Sequence, residues 1–385
     1  MSRRRLLGSL CGLVFFLNLA RVVFAPLLNV FIAEFGIGEA TAGLIVTLTW
    51  LGSASLRLPA GWLLTRVPRH HLVLISGGIL AASAALTGAA VTVPQLMVGA
   101  FLMGAASGAY FVAANPLLSE LFPSRIGRVI GIHGGATQLA AVAAAPLVAV
   151  WVGIDWRYAI WTIAVGAAVV TVYTAIQARA TELPAAGAAD RSLIAGARSE
   201  WRIILAALGL AGVAVFVWQG VFNFYELYMR SRGLSRAAAS AMLTIVFAAG
   251  VPAFLVAGEV VDRLPSVPVL LGIGGAFAAS LLVLVAVDGL VALAVVSAVI
   301  GFVIHAIFPA TDAYVLTALP DSTRGSAYAV FSAVWMLSQS VGSAVLGTLI
   351  ERGYTYDAVF VTAAIGLLVT LSLLAGLERT GRLPA

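Results

Sequence analysis

Twelve runs of about 20 or more mostly apolar residues follow one another along this chain, each long enough to cross a bilayer. They lie near residues 6–33, 39–65, 71–92, 94–121, 128–152, 157–178, 203–229, 237–261, 267–287, 289–318, 325–350 and 357–377. Hydrocarbon offers no partner to an open N–H or C=O, so such runs must close their backbone bonds internally, as helices. Composition agrees. Hydrophobic residues make up 62% of the chain and charged residues 10%, which leaves too little charge to solvate a water-soluble surface. The expectation is an all-α membrane protein with twelve transmembrane helices.

The first run follows Arg3, Arg4 and Arg5, a start that also suits a cleaved secretion signal. Here the apolar stretch continues past Arg21 to about Ala33, so an uncleaved first helix is expected. Only residues 179–202 are long and polar enough to form a linker, carrying Arg179, Glu182, Asp190, Arg191, Arg198, Glu200 and Arg202. The expected domains are therefore 1–178, 179–202 and 203–385.

All 22 basic residues are arginine, and they form no patch that would bind nucleic acid. Their distribution sets an orientation, because cytoplasmic loops hold the excess of positive charge. With the N-terminus inside, fifteen arginines fall on that side and five (Arg157, Arg230, Arg232, Arg236 and Arg352) on the other. Both termini and the linker are thus expected in the cytoplasm, with the protein in the plasma membrane.

An offset of 197 residues relates the two halves. It lays Gly36-Ile-Gly-Glu-Ala-Thr-Ala over Gly233-Leu-Ser-Arg-Ala-Ala-Ala, Gly61-Trp-Leu-Leu-Thr-Arg66 over Gly258-Glu-Val-Val-Asp-Arg263, and Gly77-Gly78 over Gly274-Gly275. A parallel repeat of six-helix halves implies two pseudo-symmetric bundles with a site near the repeat interface.

The repeated turn carries a resemblance. The chain resembles the major facilitator superfamily, whose mark between helices two and three is G-x-x-x-D-R-x-G-R-R/K, with a weaker copy between helices eight and nine. The first copy here is Gly61-Trp-Leu-Leu-Thr65-Arg66-Val-Pro68-Arg69-His70, which has Thr65 in place of the aspartate. The second, Gly258-Glu-Val-Val-Asp262-Arg263, keeps it. The resemblance implies a cytoplasmic gate at Gly61, Arg66, Gly258, Asp262 and Arg263, and a monomeric secondary transporter. Arg69 is expected to serve as a positive anchor. Since Thr65 carries no charge, any latch in the first half must be built differently.

Two arginines lie at membrane depth. Arg21 is about 24 Å along its helix from Arg5, and Arg57 about 14 Å from Arg66. A mid-membrane arginine costs about 2.5–3.5 kcal/mol on insertion scales, so these two are expected to face a cavity. There a guanidinium binds carboxylate, phosphate or nitrate as a fork. The alternative is that each neutralises an internal carboxylate. Arg21 with Pro26-Leu-Leu-Asn29 resembles organic-anion and organophosphate porters, and Arg57-Leu-Pro59-Ala-Gly61 resembles nitrate/nitrite porters, although the nitrate signature of helix five is missing.

In helix ten, His305 and Asp312 are two turns apart on one face, and the repeat sets Asn115 opposite Asp312. A buried carboxylate exchanges protons near neutral pH, which makes Asp312, with His305 as neighbour, a candidate for proton coupling. The alternative is an inter-helix hydrogen bond or an ion pair. Asn115, Gln219 and Asn223 are candidates to touch substrate. Glu120 near Arg125, Glu226 near Arg230, and His133 are expected to be structural, and Gly104–Gly108 and Gly127–Gly131 to permit close helix contacts.

Cys11 stands alone, which leaves no thiolate metal cluster or disulfide framework. No phosphate loop, metal-ligand spacing or nucleophile–base–acid set occurs, so no enzyme, cofactor or metal is expected. The expected function is alternating-access transport of a small solute, an anion by preference, as a symporter or antiporter coupled to protons or another ion. Proton-driven efflux of hydrophobic compounds and a membrane-embedded solute sensor remain as alternatives.

Overall fold

The computed structural model describes residues 2–183 and 193–384; the linker charges Asp190 and Arg191 lie outside the described residues. The described chain is helical with short connections. In order, the helices are α1 (Ser2–Val22), α2 (Phe24–Phe35), α3 (Glu39–Ser55), α4 (Arg57–Leu63), α5 (Arg69–Gly88), α6 (Val93–Leu121), α7 (Ile126–Trp151) and α8 (Arg157–Arg179). They continue as α9 (Leu193–Ser199), α10 (Trp201–Ala207), a π-helical turn over Leu208–Gly212, α11 (Val213–Ser231), α12 (Arg236–Val261), α13 (Ser266–Ala286), α14 (Leu290–Ala318), α15 (Arg324–Glu351) and α16 (Tyr356–Arg379).

Ten helical spans among the described residues are long and apolar enough to cross a membrane. The other two expected spans are also helical: α3–α4, interrupted at Leu56, and α15. The outer faces match a hydrocarbon solvent. On α8, Trp161, Val165, Val169, Val172 and Ile176 are exposed while Ile160, Ile163 and Ala167 are buried, so the helix is apolar on both sides.

Local chemistry explains where the helices start and break. Gln95 Oε1 accepts from the Val91 and Thr92 amides at 2.9 and 3.2 Å, closing a capping box at the head of α6. The hydroxyls of Ser235 and Thr355 cap α12 and α16. Pro26 and Pro59 each remove the amide that would bond the carbonyl four residues back. The chain accordingly turns at Val23 and Leu56, three residues before each proline, and these two breaks set the positions of Arg21 and Arg57.

The 197-residue repeat recurs in the structure. It carries α6 onto α14 end to end, both 29 residues long. Gly36 (φ 61°) and Gly233 (φ 85°) occupy the same left-handed turn, which a side chain would strain. Within each copy the same crossing is made against backbone: Gly104 lies on the Thr49 carbonyl, and Gly301 on the Val246 carbonyl.

Two compact units are formed. One comprises Met1–Pro123, Ala136–Ala197 and Asp321–Ala333; the other comprises Ser124–Gly135, Arg198–Pro320 and Val334–Ala385. In the first, α6 packs on α3 and α5, and α8 covers α5 and α1. In the second, α12 packs along α14, with α13 between α14 and α16.

Candidate functional site

In the first unit, Arg21 occupies the last turn of α1 just before the break at Val23, and is 8% exposed. Its guanidinium carbon lies 4.2 Å from the centroid of the Trp50 ring of α3, a cation–π stack that covers one face. Nε is buried without an acceptor, and among the described residues no carboxylate pairs with this side chain. Arg57, first residue of α4 and equally buried, is near enough for its charge to act on Arg21. Arg57 donates to the Ser332 hydroxyl. Asn115, 3% exposed on α6, donates to the Tyr328 hydroxyl at 2.7 Å. The unit thus concentrates two guanidinium groups, an indole, an amide and two hydroxyls.

Arginines elsewhere are treated differently. Arg157 meets Glu34 at 2.8 Å, Arg232 meets Asp288 at 2.6 Å, and Arg324 meets Asp321 at 2.6 Å. Arg69 is no exposed anchor, contrary to the sequence expectation: it is 3% exposed and pairs with Glu120 at 2.5 Å. Its guanidinium also lies 3.3 Å from where a Cβ on Gly325 would sit, at the head of α15. This buried pair stands where Thr65 has lost the family's charge, for Thr65 only bonds back to the Trp62 carbonyl of its own turn.

The repeated turn of the second unit behaves as a cap. Asp262, at the end of α12, accepts from the amides of Gly127 (2.6 Å) and Arg128 (2.8 Å), two of the unbonded donors at the start of α7. Gly258 lets the backbones meet, lying directly on Gly127 and Gly131. Gly61 is buried in α4. The gate arginines reach across nothing described: Arg66 stacks on Trp62 at 4.2 Å, and Arg263 pairs with Glu259. In both cases the partner lies four residues back, near the end of the preceding helix.

Also in the second unit, His305 is 3% exposed on α14, and its Nδ1 lies 2.7 Å from the Gly301 carbonyl. Around it stand Trp218, Phe247, Phe254 and Phe308, with ring centroids 5.5–6.4 Å away. It does not touch Asp312, which is half-buried, because two helical turns separate them by about 10 Å along the axis. Gln219 is half-buried and Asn223 exposed on α11. Glu226 accepts from Ser240 at 3.0 Å.

Sequence reasoning missed Trp50, Ser332, Tyr328 and the rings around His305. Only the i, i+4 pair Trp218–Phe222 left a local signal.

The Major Facilitator Superfamily family model matches residues 10–288 and 207–383. The purine ribonucleoside efflux pump NepI of Salmonella typhimurium (strain LT2) is 29% identical over 143 residues, and the Salmonella typhi protein matches equally. Each match spans 36% of this chain and 36% of the relative, about a third of its length. Among solved structures, the fucose:proton symporter FucP of E. coli aligns with a TM-score of 0.75 at 17% identity, covering 97% of this chain and 98% of that one. The human organic anion transporter MFSD10 gives 0.78 at 14%, covering 97% and 99%. At these identities the likeness is one of fold.

Proposed function

Because the chain belongs to the Major Facilitator Superfamily and is an integral membrane transporter, we propose that its solute is a small anion held by Arg21 and moved by alternating access. One observation carries this reading: a guanidinium nine-tenths buried at membrane depth, faced by an indole and by no carboxylate among the described residues. An uncompensated buried charge is costly, and an anionic solute is the partner that relieves the cost. Arg57, Asn115, Ser332 and Tyr328 add donors in the same unit.

The proposed moving parts are bundles 1–178 and 203–385, joined by 179–202. Protons couple through Asp312, and the gate is formed by the Asp262 cap on α7 together with the Arg69–Glu120 pair. The arginine excess supports cytoplasmic termini and a place in the plasma membrane.

Proteoliposome counterflow tests the reading. Vesicles preloaded with nitrate, phosphate, lactate or benzoate should accumulate labelled copies of at least one of them, and Arg21→Gln should abolish this. Failure with all four, alongside accumulation of a purine nucleoside, favours the second reading, export of a nucleoside-like compound, which the partial similarity to NepI supports. Saturable binding without any flux favours a sensor.

A further inference from the structure

His305 has a fixed tautomer. A carbonyl only accepts, so the 2.7 Å contact with Gly301 places the proton on Nδ1 and leaves a lone pair on Nε2. Among the described residues nothing donates to Nε2, although the side chain is 97% buried. Nε2 is itself not sealed off, so this acceptor is open to a donor that reaches it.

The surroundings define what fits. Rings from four helices converge there: Trp218 and Phe222 from α11, Phe247 and Phe254 from α12, Phe308 from α14, and Trp335 from α15. Convergence from four helices marks the interior of the unit rather than its lipid face. Phe254 and Phe308 lie parallel within 8°, with centroids 6.1 Å apart, and Phe308 meets Trp335 edge-on. Two glycines make the arrangement possible: a Cβ on Gly250 would strike the imidazole, and one on Gly134 would strike the Phe254 ring. Trp218, Phe254 and Trp335 are buried, while Phe222, Phe247 and Phe308 are partly exposed.

We propose that the second unit carries a binding site for a flat, uncharged aromatic solute with a single N–H or O–H donor, received by His305 Nε2. The ring faces and edges favour offset or edge-on stacking with an aromatic ligand. The one lone pair selects a donor, and it repels a carboxylate. The site is independent of the Arg21 reading, since it lies in the other unit and prefers the opposite chemistry.

Indole and 1-methylindole share one ring system, but only indole has the N–H. Calorimetric titration of the full chain in nanodiscs, with empty nanodiscs subtracted, should give saturable indole binding at least tenfold tighter than 1-methylindole binding. His305→Phe, which keeps the ring volume and removes the acceptor, should erase the difference. Phe247→Leu should weaken both ligands alike. Equal affinity of the two probes for the unaltered protein overturns the proposal, as does absence of saturable indole binding. Persistence of the preference in a folded His305→Phe variant also overturns it. The comparison on the unaltered protein decides the matter even where a variant fails to fold.

Discussion

Removing the Asp262 carboxylate should loosen the head of α7 by a calculable amount. The group accepts two backbone N–H bonds at 2.6 and 2.8 Å, from donors that an isolated helix start leaves to water. A hydrogen bond to a charged group contributes about 1.5–3 kcal/mol, but Asp262 is solvent-exposed and water competes for it. A combined value of about 2 kcal/mol is therefore appropriate, with a few tenths more from a negative charge at a helix N-terminus. At 1.36 kcal/mol per decade this is about a thirtyfold change in local opening. Hydrogen–deuterium exchange of a peptide spanning 124–131 reads it directly, because opening of the cap frees the Gly127 and Arg128 amides. Asp262→Ala should lower protection there about thirtyfold. Asp262→Asn, which keeps one acceptor oxygen but no charge, should lower it several-fold. Unchanged exchange in the alanine variant would refute the cap, and equal loss in both variants would refute the part assigned to charge.

Three further outcomes follow from the same geometry. Arg69→Ala leaves Glu120 buried without its partner and should cost about 3–5 kcal/mol, seen as a lowered thermal-denaturation midpoint in detergent, whereas Arg69→Met with Glu120→Leu should recover most of it. Gly104→Ala and Gly301→Ala each drive a methyl into a backbone carbonyl, and both should lower that midpoint by a similar amount, about 1–3 kcal/mol or more. Asp312→Asn should preserve counterflow of the solute but abolish accumulation driven by a pH gradient.

Elements whose cause is local were legible in the sequence. Spans follow from apolar run length, and the turns at Gly36 and Gly233 from a backbone conformation that side chains disfavour. Spans 6–33 and 39–65 were expected unbroken, and the breaks near Arg21 and Arg57, three residues before Pro26 and Pro59, emerge only in the structure. The Gly104–Gly108 and Gly127–Gly131 spacings foretold close crossings, and the structure supplies their partners, Thr49, Ser53 and Gly258. Partnerships between distant segments were not legible. Spacing along α1 says nothing of which α3 side chain lies over Arg21, so Trp50 went unseen. Arg69 read as an anchor because a loop arginine looks the same whether it faces water or Glu120. Arg66 and Arg263 read as gate residues because a motif records residue types, while local partners at i−4 captured both side chains. His305 and Asp312 share a face, but a shared face at two turns is not a contact.

Arg21 holding an anionic solute is the claim on which the functional account rests. The most direct test is calorimetric affinity for the anion that most stabilises the purified protein, compared across the unaltered chain, Arg21→Lys and Arg21→Gln. Truncating one member of a buried charged pair costs about 2–5 kcal/mol, so Arg21→Gln should weaken binding at least thirtyfold, with Arg21→Lys in between. The amide of the same acid should bind the unaltered chain and Arg21→Gln equally poorly. Undiminished affinity for the anion in Arg21→Gln would contradict the account.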